Sequence, residues 1–443
     1  MGDPGMVVCP ADVFHALLPE ERVLVLVDGA EVALRQRALA RSVGVPAGLV
    51  VVAGDPLALI INTLAVLAAG GVAFVAPPGT DLRALAVGVH AAGILDDSAP
   101  LVSMGHQRTM PEGAALVLQT SGSSGEPRRV VLTAGGVWAN VQSILGYLPA
   151  QAHQRVGIEL PLHYSYALVG QLFTALAAGA VPVLLHDPFV AVRVQRAREL
   201  GVTGLSSVAS ALGGWCAVLA DLAPAERPAL AFVASAGGPL SPEMAQTLAR
   251  GFPGAVLFNQ YGQTEASPRI CAISSEDDRF FEGAVGAPLP GISVAVACGE
   301  LVVDTPCAMW GYLDAPEATA RKLDGGLRTG DLARIDDDGC VWILGRSDDL
   351  VSLGGERLSL VQLQRGVQAA LGRRCWLGVD GEGALVAVVE AAERDPRAWR
   401  RACRGLAASH RPSRWLAVAS LPHLAVGKLD RKGLQALITA ESS

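Results

Sequence analysis

The sequence predicts an α/β protein with a large N-terminal domain of parallel-rich sheets flanked by helices, plus a small α+β C-terminal domain. Three observations predict it. Through the first two-thirds of the chain, short Val/Leu-rich runs alternate with apolar helical stretches, the rhythm of parallel strands covered by helices on both faces. From about Gly299 the texture changes to short strands and turns. At 443 residues the chain is too long for one small domain and can bury a large core.

In chain order, the runs at 49–52, 72–75, 116–118, 181–185 and 230–234 read as buried strands. Residues 57–78 carry no charge and are long enough to span a bilayer. Asn62 interrupts that stretch, Gly70-Gly71 splits it, and 72–75 is β-like, so the prediction is a buried helix, a turn and a buried strand, with no integral membrane span. Further helices are predicted over 167–178 and 242–250; Ser241 caps the second and Pro242 takes its first position. Strands follow at 300–303, 332–335 and 341–344, with Asp336-Asp337-Asp338-Gly339 as a hairpin turn. After Gly345-Arg346 a smaller unit is expected: a strand pair within 350–358, a helix over 361–371, a strand at 384–389 and an Arg-rich helix over 396–409. The division is therefore 1–345 and 346–443, without internal repeats.

Hydrophobic residues make up 51% and charged residues 17%, a globular composition and not a disordered one. A net charge of −7 argues against a nucleic-acid binder. The eight cysteines are scattered and form no C-x-x-C pair, which fits thiols in a reducing cytosol better than disulfides or zinc. The N-terminus has no basic stretch followed by an apolar core, so no signal peptide is expected and the location is read as cytoplasmic. Of 35 basic residues, only Lys322, Lys428 and Lys432 are lysines, which makes a lysine at a motif position worth attention.

The apolar run 114–118 leads into Thr120-Ser121-Gly122-Ser123-Ser124-Gly125-Glu126-Pro127-Arg128-Arg129. Glycines that admit an anion to the backbone, with hydroxyls and free N–H groups around it, suit a polyphosphate. Glu126-Pro127 stands where a Walker loop needs Lys-Ser/Thr, and Gly125 closes one place too early for a nucleophile elbow. Taken alone, a Ser/Gly linker between two strands serves equally well.

Downstream, Asn259-Gln260-Tyr261-Gly262-Gln263-Thr264-Glu265 follows an apolar strand, and Gly299-Glu300-Leu301, Trp310-Gly311-Tyr312, Thr329-Gly330-Asp331, Gly345-Arg346-Ser347-Asp348 and Gly427-Lys428-Leu429-Asp430-Arg431 succeed it in order. This ordered set resembles the adenylate-forming superfamily of acyl- and aryl-CoA synthetases, carrier-protein adenylation domains and luciferase, over most of the chain. The resemblance implies an AMP-forming acid–thiol ligase. Its carboxylate substrate attacks the α-phosphate of ATP, releasing pyrophosphate, and a thiol or amine then displaces AMP. Such chemistry needs in-line positioning and charge neutralisation.

The resemblance also assigns roles. Thr120, Ser121, Gly122, Ser123, Ser124 and Gly125 would hold the β- and γ-phosphates. Glu265 would bind Mg²⁺, a cation that favours hard oxygens, and Thr264 would contact the α-phosphate. Gly237, Gly238 and Tyr261 would sandwich the adenine. Asp331 would accept both ribose hydroxyls, with Arg346 assisting. Lys428, a compact ammonium, would stabilise charge on the α-phosphate and the attacking carboxylate. The resemblance makes the small domain mobile, with a hinge at Asp348: one pose serves adenylation through Lys428, and the other brings the segment around Gly354-Gly355 to the site for thiolation.

The acid pocket is expected near residues 161–166, 207–215, Ser235-Ala236 and Gln260-Tyr261, with His163 and Tyr164 as gating aromatics. Tyr164 occupies the neighbourhood where amino-acid-activating relatives carry Asp, so an apolar acyl or aryl acid is expected. Several residues depart from the family pattern: Arg128-Arg129 replaces Lys-Gly, Ala167 replaces a Gly, and residues 361–364 lack an acidic pair. The expected thiol is CoA; a carrier-protein phosphopantetheine or an amine is the alternative acceptor, and a degenerate nucleotide-binding protein the remote one. The region before the phosphate loop is short for the family, which bears on the oligomer interface and leaves a homodimer open.

Overall fold

The computed structural model describes the chain except residues 1–8, 19–22, 26–29, 98–99, 107, 121–126, 152–153, 348–349, 354–355, 382, 423–428 and 441–443. Contacts divide it into two compact units. One comprises Met1–Ala295, Val302–Thr329 and Asp336–Val341; the other comprises Val296–Leu301, Gly330–Ile335 and Trp342–Ser443. The architecture is α/β, with mixed sheets and covering helices.

The larger unit contains a seven-stranded and a nine-stranded sheet. In the first, Ala114–Thr120, Val72–Val75, Leu49–Val52 and Gly93–Leu95 run parallel, bounded by antiparallel Arg128–Thr133 and Val102–Ser103. Their side chains alternate between two cores: Val50, Val52, Ala73 and Val75 enter one, and Leu49, Val51, Val72 and Phe74 the other. Burial on both faces explains why these strands are continuous apolar runs. The uncharged stretch after them forms the helix Pro56–Ala68 and the strand Val72–Val75. Asp55 caps that helix by accepting from the Ala58 amide, and Asn62 donates to the carbonyls of Ala53 at 3.0 Å and Leu95 at 3.3 Å. Asn62, one of two polar side chains within the apolar helix, thus pins it to two strand ends. No helix among the described residues is long and apolar enough to cross a membrane.

In the nine-stranded sheet, Val256–Gly262, Phe232–Ser235, Gly204–Ser207, Arg155–Ile158 and Val181–Leu184 are parallel neighbours. Arg269–Ser274 joins the edge antiparallel to Val256–Gly262. Register sets Ile158, Ser206, Ala234 and Phe258 in one row, so three strands finish side by side while Val256–Gly262 runs on beyond them. Ligands of open α/β sheets sit outside such carboxyl ends.

The expected helix over 167–178 is interrupted: Ser165–Ala167 and Thr174–Ala177 are α-helical, but Leu168–Phe173 is a π-helix. Apolar periodicity cannot register that wider turn. Ser241 caps Pro242–Gly251 by accepting from the Met244 amide, as its sequence predicts.

In the smaller unit, Cys375–Val379 pairs antiparallel with Leu385–Glu390, which pairs parallel with Arg414–Val418. Two clusters, one around Val367, Leu377 and Trp415 and one around Val388, Leu434 and Ile438, cover the two faces of this sheet. The Arg-rich helix is shorter than expected. It spans Pro396–Ala402 and gives way to 3₁₀ turns at Cys403–Gly405 and Ala408–His410, with Leu406 extended after Gly405. All eight cysteines are free thiols; Cys9 and Cys298 are exposed and the other six buried.

Candidate active site

Thr120 ends the strand Ala114–Thr120 opposite Arg128, the first residue of the antiparallel strand Arg128–Thr133. Ser121, Gly122, Ser123, Ser124 and Gly125 lie outside the described residues, as do Asp348, Gly354, Gly355 and Lys428. The return strand Arg128–Thr133 connects the loop to the Gln263-Thr264-Glu265 turn through residues 309–313. The Trp310 amide donates to Val131 and the Leu313 amide to Arg129, while the Met309 amide donates to the Glu265 carbonyl at 2.8 Å.

Glu265 is 8% exposed, and its Oε1 accepts from the Tyr312 hydroxyl at 2.7 Å. Burial, reinforced by Glu265, pushes the Tyr312 hydroxyl well above its usual ionisation range, so it stays a donor. The Arg128 guanidinium lies 5.1 Å from the centroid of the Tyr312 ring. Arg128, a departure from the family pattern, therefore packs on the tyrosine that holds the candidate Mg²⁺ ligand. The Thr264 hydroxyl lies 2.9 Å from Ser165 Oγ, which ties this turn to the 163–166 segment. Gly262 is needed for the chain path, because a Cβ there would lie 1.9 Å from the Pro268 carbonyl oxygen. Lys322, one of the three lysines in the chain, lies beside this turn. Its Nζ donates to Gln263 Oε1 at 3.0 Å and to the Thr329 carbonyl at 3.1 Å.

Along the carboxyl edge of the nine-stranded sheet, Ser235 ends its strand fully buried, and Gly237 just beyond adopts a φ of 80° that favours glycine. Gln260 Nε2 donates to the Tyr147 hydroxyl at 2.7 Å. His163 is buried and stacked against Tyr164, with ring centroids 4.0 Å apart. Burial lowers its pKa from 6.5 to about 4, so the ring is neutral near pH 7. Two expected pocket residues have their polar atoms engaged elsewhere: Glu159 accepts from Ser207 Oγ, from Trp215 Nε1 at 2.9 Å and from Arg193 at 2.7 Å. No local motif marks Glu159 or Tyr147, and neither was foreseen.

In the smaller unit, Arg346 Nη1 lies 3.1 Å from Asp331 Oδ1. Glu300 accepts from the Gly330 amide at 2.8 Å, fixing the turn that presents Asp331. The two residues assigned to the ribose are thus paired with each other.

The AMP-binding enzyme family model matches residues 94–313. The chain is 27% identical to nonribosomal peptide synthetase 7 of Aspergillus fumigatus over 371 residues, 74% of this chain and 15% of that protein. It is 29% identical to a probable CoA ligase of Humulus lupulus over 387 residues, 74% of this chain and 62% of that one. Among solved structures, ATP-bound MatB from Rhodopseudomonas palustris superposes with a TM-score of 0.83 at 20% identity, covering 98% of this chain and 100% of that chain. The amide bond synthetase McbA from Marinactinospora thermotolerans gives 0.79 at 23% identity, covering 97% and 100%. The chain spans less than two thirds of the length of these two curated relatives. The fold is that of these structures, and the family match runs from the strand at Gly93–Leu95 through the hairpin and the Glu265 turn to Leu313. Over residues 94–313 the chain belongs to the AMP-binding enzyme family.

Proposed function

We propose that the protein is an ATP-dependent carboxylic-acid ligase that forms an acyl-adenylate and transfers the acyl group to a thiol, with CoA the acceptor. A carboxylate oxygen attacks the α-phosphorus; the bond to the β-phosphate bridging oxygen breaks, and pyrophosphate leaves with its electron pair. A thiolate then attacks the acyl carbon, and AMP leaves.

The observation that carries this reading is Glu265. A carboxylate only 8% exposed, accepting from Tyr312 at 2.7 Å, is placed by backbone bonds next to the strand that returns from the phosphate-loop candidate. A buried carboxylate beside a polyphosphate site fits Mg²⁺, which usually takes one or two carboxylates plus phosphate oxygens. When bound, the cation would neutralise phosphate charge. Thr264, tied to Ser165, would orient the α-phosphate next to the acid. The glycines at 237–238 and Tyr261 would hold the base, Asp331 and Arg346 the ribose, and Lys428 would supply positive charge to the attacking carboxylate. For Asp331 to accept both ribose hydroxyls, Arg346 would have to share it or move to another oxygen.

The acceptor divides the relatives, whose names include a CoA ligase, a nonribosomal peptide synthetase and an amide bond synthetase. The test is acid-dependent exchange of labelled pyrophosphate into ATP over a broad acid panel. Product formation is then followed in parallel with CoA, a holo-carrier protein and simple amines. Failure of every acid to support exchange would refute the ligase reading. Exchange followed by transfer to carrier protein or amine, and not to CoA, would reassign the acceptor.

A further inference from the structure

Arg269 is among the largest fully buried side chains, 2% exposed, at the start of the edge strand Arg269–Ser274. Buried charges are ordinarily paired, because an unpaired one forfeits its hydration. The buried carboxylate of Glu159 follows that rule with Arg193. Arg269 does not: among the described residues it joins no carboxylate, and its Nε and Nη2 lack any hydrogen-bond partner.

Those two nitrogens share one edge of the guanidinium, the edge that receives a carboxylate side-on through two parallel bonds. The rest of the group is held. Its face lies 4.8 Å from the Tyr166 ring centroid. Its backbone is clamped by Asn140, which accepts from the Arg269 amide at 3.0 Å and donates to its carbonyl at 2.8 Å. Around it stand Gly170, where a Cβ would lie 3.3 Å from Nη2, and Tyr147. Tyr147 accepts from Gln260 and so keeps its own proton to donate. Ser235 Oγ, on the same carboxyl edge, is also buried and unpartnered. Of these neighbours, Tyr166 and Ser235 lie in segments that would line the acid pocket, and Tyr147 is bonded to a third, through Gln260.

We propose that Arg269 is a specificity residue that binds a second carboxylate on the acid, making the substrate class dicarboxylic: one carboxylate is adenylated and the other docks on Nε and Nη2. This rests on the adenylation reading above and replaces the expectation of a purely apolar acid.

The test compares acids that differ by one carboxylate, hexanoate against adipate and benzoate against isophthalate and terephthalate. Each is measured by pyrophosphate exchange and by calorimetric binding in the presence of a non-hydrolysable ATP analogue. Wild-type protein is expected to favour the diacid in at least one pair by roughly tenfold to a hundredfold, the factor a charge-assisted hydrogen bond delivers. Arg269→Met is expected to bring that ratio to about one while leaving the KM for ATP unchanged; Arg269→Lys, which keeps charge and loses the fork, retains part of it. Diacids are also expected to raise the Tm of wild type and not of Arg269→Met. Should the Met variant fail to fold, Arg269→Gln is read on the same ratio. Monoacids equalling or surpassing diacids in every pair would overturn the proposal. So would equal loss of both classes in the variants, which would place Arg269 on the reacting carboxylate. Diacid-selective binding that Arg269→Met abolishes, without exchange by any acid, would sink the adenylation reading and leave the Arg269 assignment standing.

Discussion

Tyr312 meets Glu265 across 47 positions of sequence, and burial keeps its hydroxyl protonated for that bond. Removing the donor leaves a buried carboxylate short of a partner, and hydrogen bonds to charged groups contribute about 1.5–3 kcal/mol. Tyr312→Phe is therefore expected to lower kcat/KM for MgATP by roughly tenfold or more and to raise the Mg²⁺ requirement, measured by initial rates at fixed ATP and varied Mg²⁺. His163 gives a pH prediction. Its pKa falls from 6.5 to about 4 on burial, so the unfolded state binds the extra proton over that interval. The contribution of the neutral ring to stability is complete above pH 6.5 and is lost as pH falls towards 4. Thermal unfolding of His163→Phe is expected to show a shallower decline across that window than wild type. Equal slopes would mean that His163 is not the group responsible.

Among the elements, the π-helix Leu168–Phe173 follows directly on Ser165–Ala167, in the segment that carries His163 and Tyr164. Such wide turns occur often at functional sites. Within it, Gly170 has Arg269 Nη2 and Tyr166 Cδ2 each 3.3 Å from where a Cβ would lie. Gly170→Ala is expected to raise the KM for the acid several-fold and to leave the KM for ATP unchanged; parallel steady-state titrations of the two substrates would check it. A structural control lies far from the chemistry, at the cap of Pro56–Ala68. Asp55→Ala removes the acceptor for the Ala58 amide. It is expected to cost about 1 kcal/mol in denaturant unfolding with kinetics unaltered.

For the whole molecule, the two half-reactions have different demands. Lys428 is one of three lysines in the chain, and its proposed task belongs to the first half-reaction. Lys428→Ala is expected to reduce adenylation by orders of magnitude, since transition-state charge contacts of this kind contribute roughly 3–4 kcal/mol. Thiolation of a preformed acyl-adenylate is expected to proceed near the wild-type rate. Equal loss of both steps in single-turnover measurements would refute the division of labour between two poses. The compact units also cut the chain differently from a single boundary after residue 345: Val296–Leu301 and Gly330–Ile335, with Asp331, cluster with the C-terminal residues.

The sequence by itself determined the α/β class, the apolar strands, the Ser241 cap and the ordered motifs that mark the family. Each of these is written in a local period, a capping residue or a short string, which neighbouring residues suffice to fix. Only the tertiary structure decided what meets what. The Asn140 side chain clamps Arg269 across 129 positions, and Ser165 reaches Thr264 across 99. Arg128, visible in the sequence as an oddity, acquires its place from the Tyr312 ring beneath it. Nothing local in the sequence sets Arg269 apart from a surface arginine. Its burial without a counter-ion arises from strand pairing and helix packing, and no local pattern records either.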